Sequence, residues 1–430
     1  MTTIVAANLP QTPPTSVDGT AGNSKAAPPL VVTGVGDEHA LAALGEEWDA
    51  LESELPFLNH TWITTWWRHY RHGRARLFIL TVRDAAGTLL GIAPWYVSDN
   101  SGQGRVIRFL GSGEVCADYL TIIAREPDRQ SVAHAIANWL AIDAVDEWDL
   151  VELQGVAKDD QLMNAWQRRL SGLGRAVYTR SDQSCWRATL CDNWNGFLAT
   201  LSKSRRERIR QLDRRSFATG RAQLREVKNL DELDRCFTLL VDLHQRRRQS
   251  LGQPGCFASA AFTAFHRDLC EQLLESGRLR MLWLEIDGRT AAVEYGMTGG
   301  DTVYYYQGGF DPELADERPG WLSFAGSLHL AIDEGYRHFD FLRGDEEYKA
   351  SWRAESQPLV QVRVVGRRAA ARARDAAWRT GQCVRGWARQ KLGRGEGWTR
   401  VARSLPLPPG EGRGEGESEH ASKTQSTLLA

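Results

Sequence analysis

"HFDFLRGDEEYKASW", residues 338–352, is the stretch on which the reading of this chain turns. It begins as a short apolar strand, with Asp340 between Phe339 and Phe341. It then gathers Arg343, Asp345, Glu346, Glu347, Tyr348 and Lys349 into seven positions. Helix-end chemistry accounts for part of this. Asp345 is placed to N-cap a helix through "EEYKASW", with Glu346 and Glu347 favourable in its first turn. A cap does not account for Asp340 inside the strand, for Arg343 just after it, or for the Tyr348-Lys349 pair. Glu294, inside the apolar run "AAVEYGM", is a second in-strand carboxylate. Buried carboxylates are costly unless paired or used. Two readings therefore stand: an ion pair of Arg343 with Asp340 or Glu294, or the rim of an active site.

Working upstream, "TVYYYQGGF" (302–310) reads as a strand with Val303, Tyr305 and Gln307 on one face and Tyr304 and Tyr306 on the other. Gly308 and Gly309 then mark either a turn or the close approach of a ligand to the backbone. The next segment places Trp321, Phe324, Leu328 and Ala331 or Ile332 at helical spacing, with Pro319-Gly320 at its start and Gly335 as its C-cap. A strand, a glycine-containing turn and a helix start leave amides pointing outward, which suits an anion such as a pyrophosphate. Every helix start shares that feature.

The same grammar occurs about 200 residues earlier. "RLFILTVRDAAGTLLGIAPWYV" reads as strand, Gly87 turn, strand, and "RLRMLWLEIDGRTAAVEYGM" repeats it with the hairpin signal Asp287-Gly288. A helical stretch precedes each hairpin, and a strand, a helical stretch and a closing strand follow it. This order, α–β–β–β–α–β twice, predicts two related α/β units with mixed sheets, over residues 30–190 and 191–365. Residues 1–29 read as a disordered arm, and 366–430 as a basic helix running into a low-complexity tail.

Composition excludes several classes. The 430 residues carry a net charge of −1, which gives no global attraction to nucleic acid or anionic membrane. No window approaches the ~18 apolar residues of a membrane span, and the N-terminus lacks the pattern of a signal peptide. Seven cysteines without a CxxC pair point to a reducing cytoplasm rather than to a disulfide framework or a zinc site. His69 and His72 have no apparent third ligand, so no metal is expected. The arginine stripe in "SKSRRERIRQLDRR", with Arg206, Arg210 and Arg214 on one side, suits either a solvated helix face or a cradle for phosphates or an acidic glycan. "FLGSGEVCADY" reads as a turn rather than a phosphate loop.

The run from Tyr304 to Trp352, with its tyrosine-rich strand, Pro319-Gly320 helix start, D-F-L-R-G strand end at 340–344, Tyr348-Lys349 and Trp352, resembles the CelD-type branch of the GNAT acetyltransferase superfamily. That branch is associated with cellulose and polysaccharide biosynthesis and is related to FemAB-like double-GNAT enzymes. "FLNHTWITTWWRHY", "LSKSRRERIRQL" and "LHQRRRQSLGQPGCF" extend the resemblance over about residues 40 to 365. It implies two tandem GNAT-like domains and an acyl-CoA co-substrate (acetyl-CoA in the simplest case) whose pyrophosphate lies near Gly309, Arg318, Pro319, Gly320 and Trp321. "DERPGW" lacks further glycines of the usual GNAT loop, and FemAB-like relatives use aminoacyl-tRNA, so both donors stay open.

Acyl transfer to an amine needs a base, because an alkyl ammonium has a pKa near ~10.4. Glu294 and Asp340 are the candidates. Tyr305 or Tyr348 would protonate the leaving thiolate, and Arg343 and Lys349 would hold the acceptor. His244, Gln307 and Asp345 are expected near the substrate, a small molecule or a glycan bearing an amine. The alternatives are an aminoacyl-tRNA-dependent transferase and a non-catalytic module of a polysaccharide synthase system.

Overall fold

The computed structural model describes residues 30–51, 54–344 and 346–391, with side chains to residue 381. The expected arm at 1–29, most of the tail and Asp345 lie outside the described residues.

The hairpin signals act as read. Leu279–Ile286 pairs antiparallel with Arg289–Gly299. The turn between them has positive φ at both Asp287 (50°) and Gly288 (78°), which matches the right-handed twist of the strands. Ile79–Arg83 pairs in the same way with Leu89–Ala93 across the Gly87 turn. There Pro94, which has no N–H to give a ladder, separates Leu89–Ala93 from Trp95–Asn100. The earlier unit is consequently divided between a four-stranded and a six-stranded sheet.

Both units carry the parallel crossover that the repeated grammar predicts. Gly104–Phe109 pairs parallel with Leu150–Ala157, and helix Arg129–Ile142 lies between them in sequence. Thr302–Phe310 pairs parallel with His338–Arg343, joined through helix Pro319–Asp333. The later sheet has seven strands, and the two units exchange strands across residue 190. Cys185–Thr189 lies in the later sheet, between His338–Arg343 and Ala354–Gln357. Leu359–Val365 returns to the earlier unit, pairing with Leu150–Ala157 and Ala176–Ser181.

Two details of the tyrosine strand, Thr302–Phe310, position the site. Its parallel register with His338–Arg343 runs only from Thr302↔His338 to Tyr304↔Asp340, after which the strands part. On its other edge, Gly296 faces Tyr305 and Tyr295 faces Gln307, so Tyr306 is an extra, bulged residue. Before the bulge the faces alternate as expected: Tyr304 packs near Phe57 (6.0 Å) and Tyr305 against Phe324 (4.8 Å). The bulge then turns Gln307 away from the Tyr305 face on which the sequence placed it. One core is continuous through both units on the Tyr304 side, and a smaller one lies beneath helix Pro319–Asp333.

Helix Ala369–Lys391 begins against the earlier unit. Arg363 links Asp375 (3.0 Å) and Glu152 (3.1 Å) and lies over Trp378 (3.9 Å). No helix of the described residues is long and apolar enough to cross a membrane.

Candidate active site

The charged stretch that opened the sequence reading is, for the most part, a clasp between the units. Asp340 is fully buried. Its Oδ2 accepts from Tyr119 Oη (2.7 Å) and Arg187 Nε (2.9 Å), and its Oδ1 accepts from the amide of Leu342 (2.8 Å). Burial pushes its carboxyl up, and Arg187 with the Tyr119 hydroxyl pulls it back. Arg343 donates through Nε to Asp118 Oδ1 (2.5 Å) and through Nη2 to the carbonyl of Ala117 (3.0 Å), while its amide donates to Asp118 Oδ2 (3.0 Å). Lys349 is fully buried, and its ammonium donates to the carbonyls of Leu342 (3.1 Å), Arg343 (2.9 Å) and Gly344 (3.1 Å) and pairs with Glu346 (3.0 Å). These three side chains are held in place by partners within the protein itself. Arg343 does form an ion pair, but with Asp118 rather than with Asp340 or Glu294. The loop "FLGSGEVCADY" is the other half of the clasp. Cys116 (φ 47°), Tyr119 (φ 58°) and Leu342 (φ 56°) all hold left-handed backbone conformations there, which only dense surrounding contacts sustain. Tyr348 lies beside Phe324 (5.7 Å) and Phe341 (6.2 Å), and burial raises its phenol.

Glu294 is different. Its residue is directly opposite Gly308 in the sheet, and its carboxyl lines a cavity of about 20 Å³ with Tyr305, Gly308, Gly309, Gly320 and Ser323. That is room for about one water. Glu294 Oε2 and Ser323 Oγ are buried and lack a hydrogen-bond partner among the described residues. Burial raises the Glu294 carboxyl to about 7, opposed by the nearby Ser323 and Ser327 hydroxyls and by Arg280. A buried carboxyl poised near neutrality beside a water-sized space is suited to exchanging a proton. Tyr305 is also raised, by burial first and by the neighbouring Glu294 charge.

The diglycine step is explained by what presses on it. A Cβ on Gly309 would lie 2.6 Å from the backbone nitrogen of His244, so the close approach at Gly309 is that of helix Leu230–Ser250, not of a ligand. The bulge brings Gln307 to this same face. Its Nε2 donates to Cys256 Sγ (3.4 Å), and Cys256 Sγ lies 3.6 Å from His244 Nε2. Burial lowers His244 to about 4 and raises the Cys256 thiol to about 12. His244 and Gln307 are thus brought together, with Cys256 as the partner that the sequence reading missed. The signal available was weak: a cysteine twelve residues after a histidine, across a turn.

At the opposite mouth of the parting strands, Arg318 (φ 54°) leads into helix Pro319–Asp333. Pro319 has no amide proton, and the amides of Trp321 and Leu322 both donate to the carbonyl of Arg318 (3.0 and 3.2 Å). Gly320 is left as the first-turn amide without a backbone acceptor among the described residues. The multi-amide cradle is therefore reduced. In its place, Arg205 (4.5 Å) and Arg208 (5.8 Å) from helix Lys203–Arg215 lie over the ring of Trp321. Arg247 lies over Phe310 (5.3 Å). Phosphate at this mouth would meet guanidinium groups more than amides. The arginines involved are not the stripe that the sequence singled out: Arg210 pairs with Glu207 (3.3 Å) within its own helix.

One family model and several solved structures match this chain. Residues 203–350 match the family model described as an acetyltransferase (GNAT) domain. These residues lie in the later of the two α/β units. Among solved structures, FemX matches with a TM-score of 0.54 at 12% identity, over 74% of this chain and 95% of that one. L-PGS from Bacillus licheniformis matches with a TM-score of 0.47 at 12% identity, over 76% of this chain and 91% of that one. A tandem GNAT protein from the clavulanic acid biosynthesis pathway matches with a TM-score of 0.41 at 12% identity, over 78% of this chain and 98% of that one. At such identities the likeness is one of fold. A search of curated proteins finds no match.

Proposed function

We propose that the chain is an N-acyltransferase that moves an acyl group from acyl-CoA to an amine-bearing acceptor, in the cytoplasm and in the service of envelope polysaccharide. The GNAT match supports the reaction class, and the CelD-type resemblance supports the setting. The observation that carries the reading is Glu294: a buried, incompletely bonded carboxyl at about 7, opening on a small cavity between the tyrosine strand and the start of helix Pro319–Asp333. In this role Glu294 takes the proton of the acceptor ammonium, directly or through the one water that its cavity admits. Tyr305, on the same cavity, is placed to return a proton to the leaving thiolate. Arg205 and Arg208 hold the donor phosphates beside Trp321. The Glu294 cavity as it stands admits only a water, so the donor's arm would enter it by displacing the Phe310 and Phe324 rings that line it.

The test is release of free thiol from acetyl-, succinyl- and long-chain acyl-CoA in the presence of amines, with wild type and Glu294→Gln. Release that depends on amine and falls by about 10²–10⁴-fold in the variant supports the reading. Absence of release from every donor refutes it. The scarcity of free amides at the Pro319 helix keeps aminoacyl-tRNA as the second donor reading. Guanidinium groups bind either anion, but tRNA binding would weaken steeply with salt.

A further inference from the structure

Cys256 stands in a chain of hydrogen bonds in which every amide orientation is fixed. Gln245 Nε2 donates to the carbonyl of Pro254 (2.8 Å), which turns Gln245 Oε1 toward His244 Nδ1 (3.1 Å). Nδ1 is therefore the protonated nitrogen, and Nε2 presents its lone pair to the Cys256 thiol 3.6 Å away. On the other side, Gln307 Oε1 accepts from the amide of Gly308 (3.3 Å), which leaves Gln307 Nε2 to donate to Cys256 Sγ (3.4 Å). Gly255 (φ 72°) makes room for this: a Cβ there would lie 2.1 Å from Gln245 Oε1. The result is a nucleophile, a base, a group that orients the base, and a side-chain N–H beside the sulfur.

Cys256 packs at the margin of the core rather than inside it. Cys256 is only half-buried, unlike Cys185, Cys236 and Cys270. The turn that carries it meets the other unit, where Ser259 Oγ and Tyr70 Oη both donate to Glu114 Oε2 (3.0 and 3.1 Å). Gln307 reaches the sulfur because of the bulge in the tyrosine strand, just past the point where that strand parts from its neighbour.

We propose that Cys256 is a catalytic nucleophile that carries the acyl group as a thioester between donor and acceptor, with His244 as its base and Gln245 as the positioning residue. The proposal rests on the acyl-transfer reading and adds a covalent step to it. In the first half, Cys256 Sγ bonds to the donor's acyl carbon while its proton passes to His244 Nε2. The tetrahedral adduct then expels the CoA thiolate, which takes that proton from His244, in the place that Tyr305 holds in direct transfer, and leaves as thiol. In the second half, an acceptor amine in its free-base form attacks the Cys256 thioester. One amine proton passes through His244 to Sγ as the carbon–sulfur bond breaks, giving the amide and the original thiol. Because burial favours the neutral forms of both His244 and Cys256, the proton moves with attack rather than before it, as in a serine–histidine pair. The resting thiol should accordingly be slow toward alkylating reagents.

The experiment is intact-protein mass spectrometry and peptide mapping after incubating the full chain with acetyl-, succinyl- and long-chain acyl-CoA without amine. Cys256→Ala, the near-isosteric Cys256→Ser and His244→Ala are run in parallel, with circular dichroism to confirm folding. We expect one acyl group per chain on Cys256, released on addition of amine. Cys256→Ala should carry none, and His244→Ala should form the adduct about 10²–10⁴-fold more slowly. If wild type transfers acyl groups to amine without an adduct, and the folded Cys256 variants keep the rate, the covalent step is wrong and the acyl-transfer reading survives. If no donor yields thiol, adduct or amide, both fall.

Discussion

Replacing Glu294 by Gln tests the electrostatics of the proposed base without reference to any substrate. Burial moves this carboxyl from an ordinary 4.5 to about 7. Its folded-state pKa therefore lies above its unfolded one, and the native protein prefers the protonated form. Below about 4.5 the group is neutral in both states and costs nothing. As pH rises toward 7 the unfolded chain ionises it freely while the native state resists, and the native protein loses stability by about 3 kcal/mol once pH exceeds about 7. Glutamine keeps the shape and cannot ionise, so it escapes this loss. The assay is urea unfolding of wild type and Glu294→Gln between pH 4.5 and 8, comparing midpoints at constant slope. The stability of the variant relative to wild type should climb across that window by about 3 kcal/mol and level off above it. A difference that does not change with pH would refute the reasoning, because it would mean that Glu294 ionises normally and is not a poised base.

Asp340→Ala should destabilise the fold by roughly 3 kcal/mol, because it strands the guanidinium of Arg187 at the clasp; thermal unfolding reads this, and a fully stable but inactive variant would contradict the structural role. Lys349→Met keeps the aliphatic stem but abandons the carbonyls of Leu342, Arg343 and Gly344, so a loss of at least ~3 kcal/mol is expected in the same measurement. Arg205→Ala with Arg208→Ala should raise the Kd for CoA about tenfold in calorimetric titration and flatten its salt dependence; an unchanged Kd would place the phosphates elsewhere.

Much of the later unit was legible because its signals are local. Asp287-Gly288 fixes a hairpin by backbone conformation alone, and the apolar spacing from Trp321 to Ile332 fixes a helix. What escaped was non-local. Asp340 meets Tyr119 at a sequence separation of 221 residues, and Arg343 meets Asp118 at 225. No periodicity reports such pairings, so buried charges answered by another unit looked like charges awaiting a substrate. The Gln307 face failed for a different reason: one bulged residue reverses every side chain beyond it, and the strand's composition does not announce the bulge. Gly309 marks a close approach, and the body that presses on it is helix Leu230–Ser250. The exchange of Cys185–Thr189 and Leu359–Val365 between sheets was hidden because both segments are ordinary strands whose partners lie far along the chain.

The central claim is that a phosphate-bearing acyl donor enters between the tyrosine strand and His338–Arg343 and presents its reactive carbon beside Glu294. The structure of the complex with CoA tests it most directly. The account predicts the sulfur-bearing arm in the gap beyond Tyr304, the Phe310 and Phe324 rings displaced, and the pyrophosphate beside Arg205 and Arg208. CoA bound at another surface, with the gap still closed over Glu294, would contradict it.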